Sequence, residues 1–213
     1  LKPKKGAKTL KLLSRAGKSK KSEKMSVSRV LFDVKSPAIA ISCQTPGQIF
    51  ARTEGDYSFL AQLDLLAGVL GMGELSRLYQ KLFYEKSLVT DVGAGLFAQK
   101  QAGMLYFQLE FGSLEAIQDG LKAFFEELRR FSDEGPTEEE LKRVIVNAEA
   151  EKLYATQTVD SRAGRLGFLK FGVEDMNFDH EYLQSLRNTR PQDIKNLVQH
   201  YLTPSHLKVV ALL

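Results

Sequence analysis

Five segments of the chain alternate apolar and polar residues with a period of two, or are rich in Val, Ile and Phe between Pro and Gly. This pattern is typical of β-strands with one buried face. Strands are predicted at Arg29–Val34, Pro37–Thr45, Val89–Gln99, Gly103–Phe111 and Leu207–Leu213. The polar turn Lys100–Ala102 joins the third and fourth as a hairpin. Gly93 and Gly95 in the third indicate a bulge or a close backbone approach.

Apolar residues elsewhere recur every three or four positions, which predicts amphipathic helices. The first helix is predicted from Asp56, as its N-cap, to about Gly71, with Leu60, Leu63, Leu66 and Leu70 as its apolar stripe. The others are predicted at Glu74–Lys86, Ser113–Ser132, from Thr137 into the mid-150s, and at Val159–Phe171, His180–Asn188 and Pro191–Tyr201.

Side-chain signals mark where several of these helices begin. Thr137 stands three residues before Glu140, the spacing of a capping box, and Thr189 stands three before Gln192. Ser113 is the predicted cap of the third helix.

The order of elements is two strands, two helices, a hairpin, a run of helices and a last strand. That order lacks the regular alternation of a doubly wound sheet. We therefore expect an α+β fold, with a mostly antiparallel or mixed sheet and helices packed on one face.

The net charge of +4 is unevenly distributed. Residues 1–24 hold ten Lys/Arg and one Glu, a local +9, so the remaining residues hold 20 Lys/Arg and 25 Asp/Glu, a local −5. We interpret residues 1–27 as a basic flexible linker and residues 28–213 as a single module. Binding of nucleic acid or anionic lipid by the basic segment is the alternative. It is disfavoured because no aromatic residue stands among the lysines to stack on a base. No stretch is apolar for long enough to predict a membrane span.

Cys43 is the only cysteine, which excludes an intramolecular disulfide and a cysteine-rich zinc site. It lies in the apolar run Pro37–Cys43, so we expect a buried and unreactive thiol.

The three histidines do not have the spacing of a catalytic metal site. His180, His200 and His206 include no pair at i, i+4, and neither His-Glu-x-x-His nor His-x-x-Glu-His occurs. A metal shared by His200 and His206 across their Pro turn is the alternative to a structural role for both. The sequence thus predicts no metal ligand in this chain.

Other catalytic patterns are also absent from the sequence. It contains no Gly-x-Ser-x-Gly elbow, no phosphate-binding loop and no Gly-x-Gly-x-x-Gly. Acidic residues at Glu138–Glu140, Glu149 and Glu151 are interpreted as solvated helix faces rather than as an acid–base pair.

The segment Asp64–Val92 carries Leu-Gly-Met-Gly, then Ser-Arg-Leu, between two predicted helices and a strand. It resembles the most recognisable segment of the insulinase, pitrilysin and mitochondrial processing peptidase-like zinc metallopeptidases. Four more features fit in the same order: Pro46-Gly47, Asp56-Tyr57, Gly135-Pro136-Thr137-Glu138-Glu139-Glu140-Leu141 and Tyr201-Leu202-Thr203-Pro204. The resemblance covers about residues 28–213.

The resemblance implies the second, C-terminal module of that family, which does not bind zinc. In members where this module completes the active site, it supplies an Arg and, seven residues on, a Tyr, both of which hydrogen-bond the substrate near the scissile carbonyl. The matching positions here hold Phe83 and Thr90, which cannot replace them. Arg77 and Tyr84 also stand seven apart, but Arg77 belongs to the earlier Ser-Arg-Leu turn, so we interpret that pair as a coincidence.

The expected function is therefore an inactive module of a zinc metalloendopeptidase. It would form one wall of a chamber for an extended peptide, opposite a zinc-bearing module in the same polypeptide or a partner subunit. A scaffold subunit of the same fold in a larger complex is the alternative. By family analogy the expected compartment is the bacterial periplasm or the exterior, with the mitochondrion as the alternative.

Overall fold

The computed structural model describes residues 25–31, 34–48 and 57–213. Its strands form one sheet in the order β1-β5-β2-β4-β3. They are β1 (Ser26–Val30), β2 (Ala38–Pro46), β3 (Asp91–Ala98), β4 (Ala102–Glu110) and β5 (Leu207–Leu212). β1 and β5 run parallel, and the other neighbours run antiparallel. The mixed sheet and the α+β class are confirmed.

Six α-helices accompany the sheet in the part of the chain that the structure describes. They are α1 (Ser58–Gly71), α2 (Ala116–Glu134), α3 (Glu138–Ala155), α4 (Val159–Gly167), α5 (Phe178–Asn188) and α6 (Pro191–Tyr201). Within the described residues, none of these helices is both long and apolar enough to cross a bilayer.

α1 occupies the centre of the module, between the sheet and three other helices. Leu60, Leu63, Leu66 and Leu70 are buried as predicted, but so are most of the residues between them. α1 packs on β3 and β4 on one side and on α3, α5 and α6 on the others. A helix enclosed in this way is apolar over most of its circumference rather than along one stripe, and here Gln62 and Asp64 are polar exceptions.

The end of α1 lies directly against β3. A Cβ on Gly71 would come within 2.6 Å of both the nitrogen and the Cβ of Ala94. The register of β3 with β4 is continuous through Gly93 and Gly95, so β3 contains no bulge. The bulge interpretation is therefore wrong, and the close approach is made by Gly71: a Cβ on Gly93 would meet Gly71 O only at 3.9 Å, and one on Gly95 would meet the Tyr106 side chain.

The helix predicted at Glu74–Lys86 is wrong in type and extent. Helical geometry starts at Arg77, and Tyr79–Glu85 is a π-helix. The predicted helix Val159–Phe171 likewise changes at Phe168 into a π-helix that continues to Val173. An extra residue in a turn changes which side chains share a face, and sequence spacing alone does not reveal it.

One of the two predicted capping boxes exists. Glu140 N–H donates to Thr137 Oγ1 (3.2 Å), and Thr137 N–H donates to Glu140 Oε2 (2.7 Å). The prediction for Thr189 and Gln192 is wrong. The N-cap of α6 is Arg190, whose N–H donates to Asp193 Oδ2 (2.9 Å), because Pro191 takes the first helical position.

Other predicted boundaries also shift. Ser113 does not cap α2, which begins at Ala116 with Glu115 as its N-cap. The first strand ends at Val30 rather than Val34, because its pairing with β5 ends at Leu212. α5 begins at Phe178, two residues before the predicted start. Asp56, the predicted cap of α1, and residues 1–24 of the predicted linker lie outside the described residues.

Candidate substrate-facing surface

One face of the sheet packs against helices and the other does not, within the described residues. Along β2 and β4, buried and more exposed positions alternate strictly. The buried positions include Ile39, Ile41, Leu105 and Phe107. Their neighbours along each strand point to the opposite face, because successive side chains of a strand alternate. We call this opposite side the open face.

Large apolar side chains lie on the open face at its β3 edge. Phe97 is 55% exposed and Met104 is 39% exposed, and they are directly paired across β3 and β4. Tyr106 is the next residue on this face of β4, paired with Gly95. A Cβ on Gly95 would come within 2.7 Å of Tyr106 Oη, so the phenol ring lies over the glycine. Phe97, Met104 and Tyr106 therefore form a low apolar platform.

Small residues and two glutamines continue the open face from this platform toward its centre, with Gln44 opposite Met104 and Gln108 between Gly93 and Ala40. Gly93 on β3 and Ala38, Ala40 and Ser42 on β2 share this face, as the strand registers show. Such a surface leaves room for another backbone to approach the sheet closely.

Charges on the open face lie apart from the platform. Asp91 and Glu110 are cross-strand partners at the far end of the hairpin, and Lys208 is on β5 opposite Ser42. The platform itself carries only the phenol hydroxyl as a polar group.

The structure places Phe83 in an aromatic cluster. Phe83 packs on Tyr79 (ring centroids 4.8 Å apart) and on Tyr84 (5.2 Å) along the π-helix. Thr90 is exposed just before β3, and its N–H donates to Glu110 O (2.8 Å). Phe83 carries no hydrogen-bond donor, and Thr90 carries only a short hydroxyl in place of a guanidinium or a phenol.

Arg77 and Tyr84 bind different partners. The Arg77 guanidinium lies over the Phe131 ring and forms two hydrogen bonds to the Glu140 carboxylate. The Tyr84 hydroxyl lies 3.3 Å from Glu74 Oε2. The guanidinium of Arg77 is thus committed to packing inside the module.

The histidines occupy structural positions. His206 Nδ1 lies 3.0 Å from the carbonyl oxygen of His200 and 3.2 Å from Thr203 Oγ1, and the two imidazole rings are 6.1 Å apart. His180 Nε2 contacts Gln184. Among residues 25–31, 34–48 and 57–213, no three His, Cys, Asp or Glu side chains are grouped so that they could hold a metal ion. The described residues therefore do not fit a zinc site.

The acidic candidates also have structural partners. Glu140 pairs with Arg77, and Glu149 accepts a hydrogen bond from Arg187 Nε (2.6 Å). Glu151 lines a cavity beside Asp64, a residue that no local pattern in the sequence selects. Met104 and Tyr106 were also missed, although large apolar residues at the outward positions of a hairpin are a readable signal.

Cys43 is buried, as predicted. Its thiol donates to Tyr201 O (3.3 Å), and burial raises its pKa to about 11. The thiol therefore contacts the last residue of α6 from β2, and its raised pKa favours the protonated form at neutral pH.

Comparison with solved structures finds the same fold in chains of low identity. A protease from Helicobacter pylori has a TM-score of 0.76 at 19% identity, covering 90% of this chain and 44% of that one. The peptidase M16 inactive domain from Pseudomonas fluorescens has a TM-score of 0.74 at 17% identity, covering 89% and 43%. A chain of complex III2 from Candida albicans has a TM-score of 0.70 at 12% identity, covering 88% and 45%. This chain thus spans less than half of each of these three.

The sequence itself carries the family assignment. No curated protein matches the chain. The family model described as the peptidase M16 inactive domain matches residues 3–147, more than half of the chain. The chain therefore belongs to the peptidase M16 inactive domain family.

Proposed function

We propose that this module is a non-catalytic wall of a peptide-binding chamber in a zinc metallopeptidase. The observation that carries the proposal is the open face, with its apolar platform of Phe97, Met104 and Tyr106 beside a floor of small residues and two glutamines. An extended peptide laid on this floor would place an apolar side chain on the platform. Zinc and the groups that activate water would belong to a separate zinc-bearing module.

In this role the chain binds and shields the peptide but does not polarise its carbonyl. Phe83 and Thr90 stand where the family resemblance places the substrate-binding Arg and Tyr. Loss of one oxyanion donor typically costs about 10²–10³ in rate. A complete active site would therefore take such donors from another module.

The first test is to purify the 213-residue chain and measure its bound zinc and its peptidase activity on an unfolded peptide. We expect neither stoichiometric zinc nor turnover. Stoichiometric zinc, or activity that follows the protein through purification, would overturn the non-catalytic assignment.

The second test locates the peptide by chemical-shift mapping on the isotope-labelled chain. An unstructured peptide with aromatic and aliphatic residues should shift the signals of Phe97, Met104 and Tyr106. Met104→Lys should weaken binding about tenfold, because the side chain would no longer bury apolar area. Leu153→Lys is the matched control, since Leu153 is an exposed apolar residue on α3. Equal effects of both variants, or shifts confined to the helices, would contradict the proposal.

A scaffold subunit without peptidase activity is the second candidate. The same fold occurs in the chain of complex III2 from Candida albicans, and the absence of an Arg and a Tyr at Phe83 and Thr90 suits either role. A His-x-x-Glu-His motif elsewhere in the same polypeptide or in its partner would favour the peptidase. Absence of this motif from both the polypeptide and its partner would favour the scaffold.

The proposal assigns no role to nucleic acid or membrane. If the basic segment were instead a binding element, affinity for DNA or anionic vesicles would fall steeply with salt and would disappear on deletion of residues 1–24. We propose an extracytoplasmic bacterial location on family analogy, and fractionation of the source cells would test it.

A further inference from the structure

A cavity of about 300 Å³ lies at the junction of α1, α3 and α5. Its walls are apolar where Leu65, Val144 and Leu186 face it, and Asp64, Glu151 and Tyr182 supply its acidic and phenolic groups. Because α1 separates α3 and α5 from the sheet, the cavity lies on the helical side, away from the open face. The inference drawn from it does not depend on the proposed role of that face.

Asp64 is one of the polar residues that line the cavity. The Tyr182 hydroxyl donates a short hydrogen bond to Asp64 Oδ2. Among the residues that the structure describes, no donor bonds the other oxygen, Oδ1. Asp64 lines the cavity, and its Oδ1 can therefore still accept a hydrogen bond.

The cavity lining contains two carboxylates and neither Lys nor Arg. The neighbouring cations are already committed to another acid: Lys152 Nζ binds Asp179 Oδ1 (2.8 Å), and Arg165 Nε binds Asp179 Oδ2 (3.1 Å). Burial raises the pKa of Asp64, and the nearby charge of Glu151 raises it further, against the hydrogen bond from Tyr182. A carboxylate in such surroundings is stabilised by any cation that enters.

The shape of the cavity restricts what kind of cation fits. Its volume is at the lower end of the range for small-molecule sites, about 300–1,000 Å³. A hydrated metal ion would leave the walls formed by Leu65, Val144 and Leu186 without apolar contact. A cationic group on an aliphatic stem would suit both the apolar walls and the acidic groups. The stem would contact the walls, and the charge would lie at Asp64.

We propose that this cavity binds a primary ammonium group carried on a short aliphatic stem. Asp64 Oδ1 accepts a hydrogen bond from the ammonium, Tyr182 holds the carboxylate in place, and Glu151 adds a second negative charge at the entrance. A lysine side chain of a peptide and a free alkylamine share this chemistry.

The test is a chemical-shift titration of the 213-residue chain with n-butylammonium at low ionic strength. We expect saturable shifts of Leu65, Val144 and Leu186 in the millimolar range. n-Butanol, which has the same stem without the charge, should bind at least tenfold more weakly. Equal affinity for the two probes, or no saturable shift of the cavity signals, would overturn the proposal.

Variants separate the cavity from general electrostatic attraction. Asp64→Asn should weaken butylammonium binding at least tenfold while keeping an acceptor for Tyr182. Asp160→Asn removes the same charge from the exposed first turn of α4 and should leave affinity unchanged. Ala148→Leu fills the cavity without changing charge and should also abolish binding. Thermal unfolding of each variant shows whether it is folded. Equal losses in Asp64→Asn and Asp160→Asn, or retained binding in folded Ala148→Leu, would refute the site.

A further arm distinguishes the two sources of the ammonium group. Nα-acetyl-lysine methylamide carries the lysine side chain on a peptide backbone, whereas butylammonium is free. Binding of both at Asp64 supports a site for peptide lysines. Binding of butylammonium alone supports a site for free amines, and binding of neither overturns the assignment.

Discussion

Arg77 and Glu140 form a bidentate ion pair, with Nε 2.6 Å from Oε1 and Nη2 2.8 Å from Oε2. The pair ties the Ser-Arg-Leu turn to the first turn of α3, where Glu140 also completes the capping box with Thr137. Burial opposes ionisation of Glu140, but the hydrogen bonds from Arg77 and Thr137 outweigh it and lower its pKa. The Arg77 side chain is only 12% exposed, so this contact is internal to the module.

Replacement of Arg77 should therefore affect stability. Arg77→Ala leaves Glu140 without its partner, and we expect it to lower the free energy of unfolding by about 3 kcal/mol. Denaturant titration measures the change. Arg187→Ala is the control: Arg187 is 60% exposed in its pair with Glu149, so the expected loss is at most about 1 kcal/mol. A similar small loss for both would mean that the Arg77 pair contributes little.

The corrected start of α6 yields a second prediction. Asp193→Ala removes the acceptor of the Arg190 N–H, and we expect a loss of about 1 kcal/mol. Gln192→Ala should change the free energy of unfolding by less than about 0.5 kcal/mol, because Gln192 bonds only Asn196 among the described residues. If Gln192→Ala lowered the stability to thermal unfolding more than Asp193→Ala, the result would instead support the capping box first predicted at Thr189 and Gln192.

Two glycines in helices should respond oppositely to alanine. Gly71→Ala forces a methyl group onto Ala94, so we expect destabilisation of about 1–3 kcal/mol. A Cβ at Gly164, inside α4, meets no described atom within 4 Å. Gly164→Ala should stabilise by about 0.5–1 kcal/mol, because glycine loses more backbone entropy in a helix. Differential scanning calorimetry of both variants tests the contrast, and loss of stability in Gly164→Ala would contradict it.

The buried thiol of Cys43 should make the stability of the folded chain depend on pH. Burial raises the thiol pKa from 9.0 to about 11 in the folded chain, so the folded state favours the protonated form. Stability should be unaffected below pH 9 and should fall as the pH rises through this range, because the unfolded thiol ionises first. At pH 8 a thiol reagent should label Cys43 only after denaturant is added. Rapid labelling of the native chain would contradict the buried assignment.

Local signals in the sequence predicted most of the element types, because strand alternation and the Thr137–Glu140 box depend on neighbouring residues. The prediction failed at the start of α6, where Thr189 and Arg190 are both possible N-caps. Arg190 is the N-cap because Pro191 occupies the first helical position. The burial of α1 beyond its leucine stripe could not be derived from the sequence, since it depends on three helices distant in sequence.

The same limit applies to the candidate surfaces. Phe97 and Met104 meet only because β3 and β4 pair in one particular register, although their outward apolar side chains were visible in the sequence. Asp64 and Tyr182 are far apart in the sequence and become neighbours when α5 packs on α1. Nothing near either residue in the sequence marks that contact.

The parallel pairing of β1 with β5 also has a consequence for biosynthesis. β1 lies at the edge of the described sheet, and β5 is its only neighbouring strand there. While a ribosome is still translating the module, Ser26–Val30 must wait until Leu207–Leu212 has emerged. Contacts that span so much sequence form slowly. The apolar Val27 and Val30 are thus available to chaperones or to other nascent chains for most of the translation of this module.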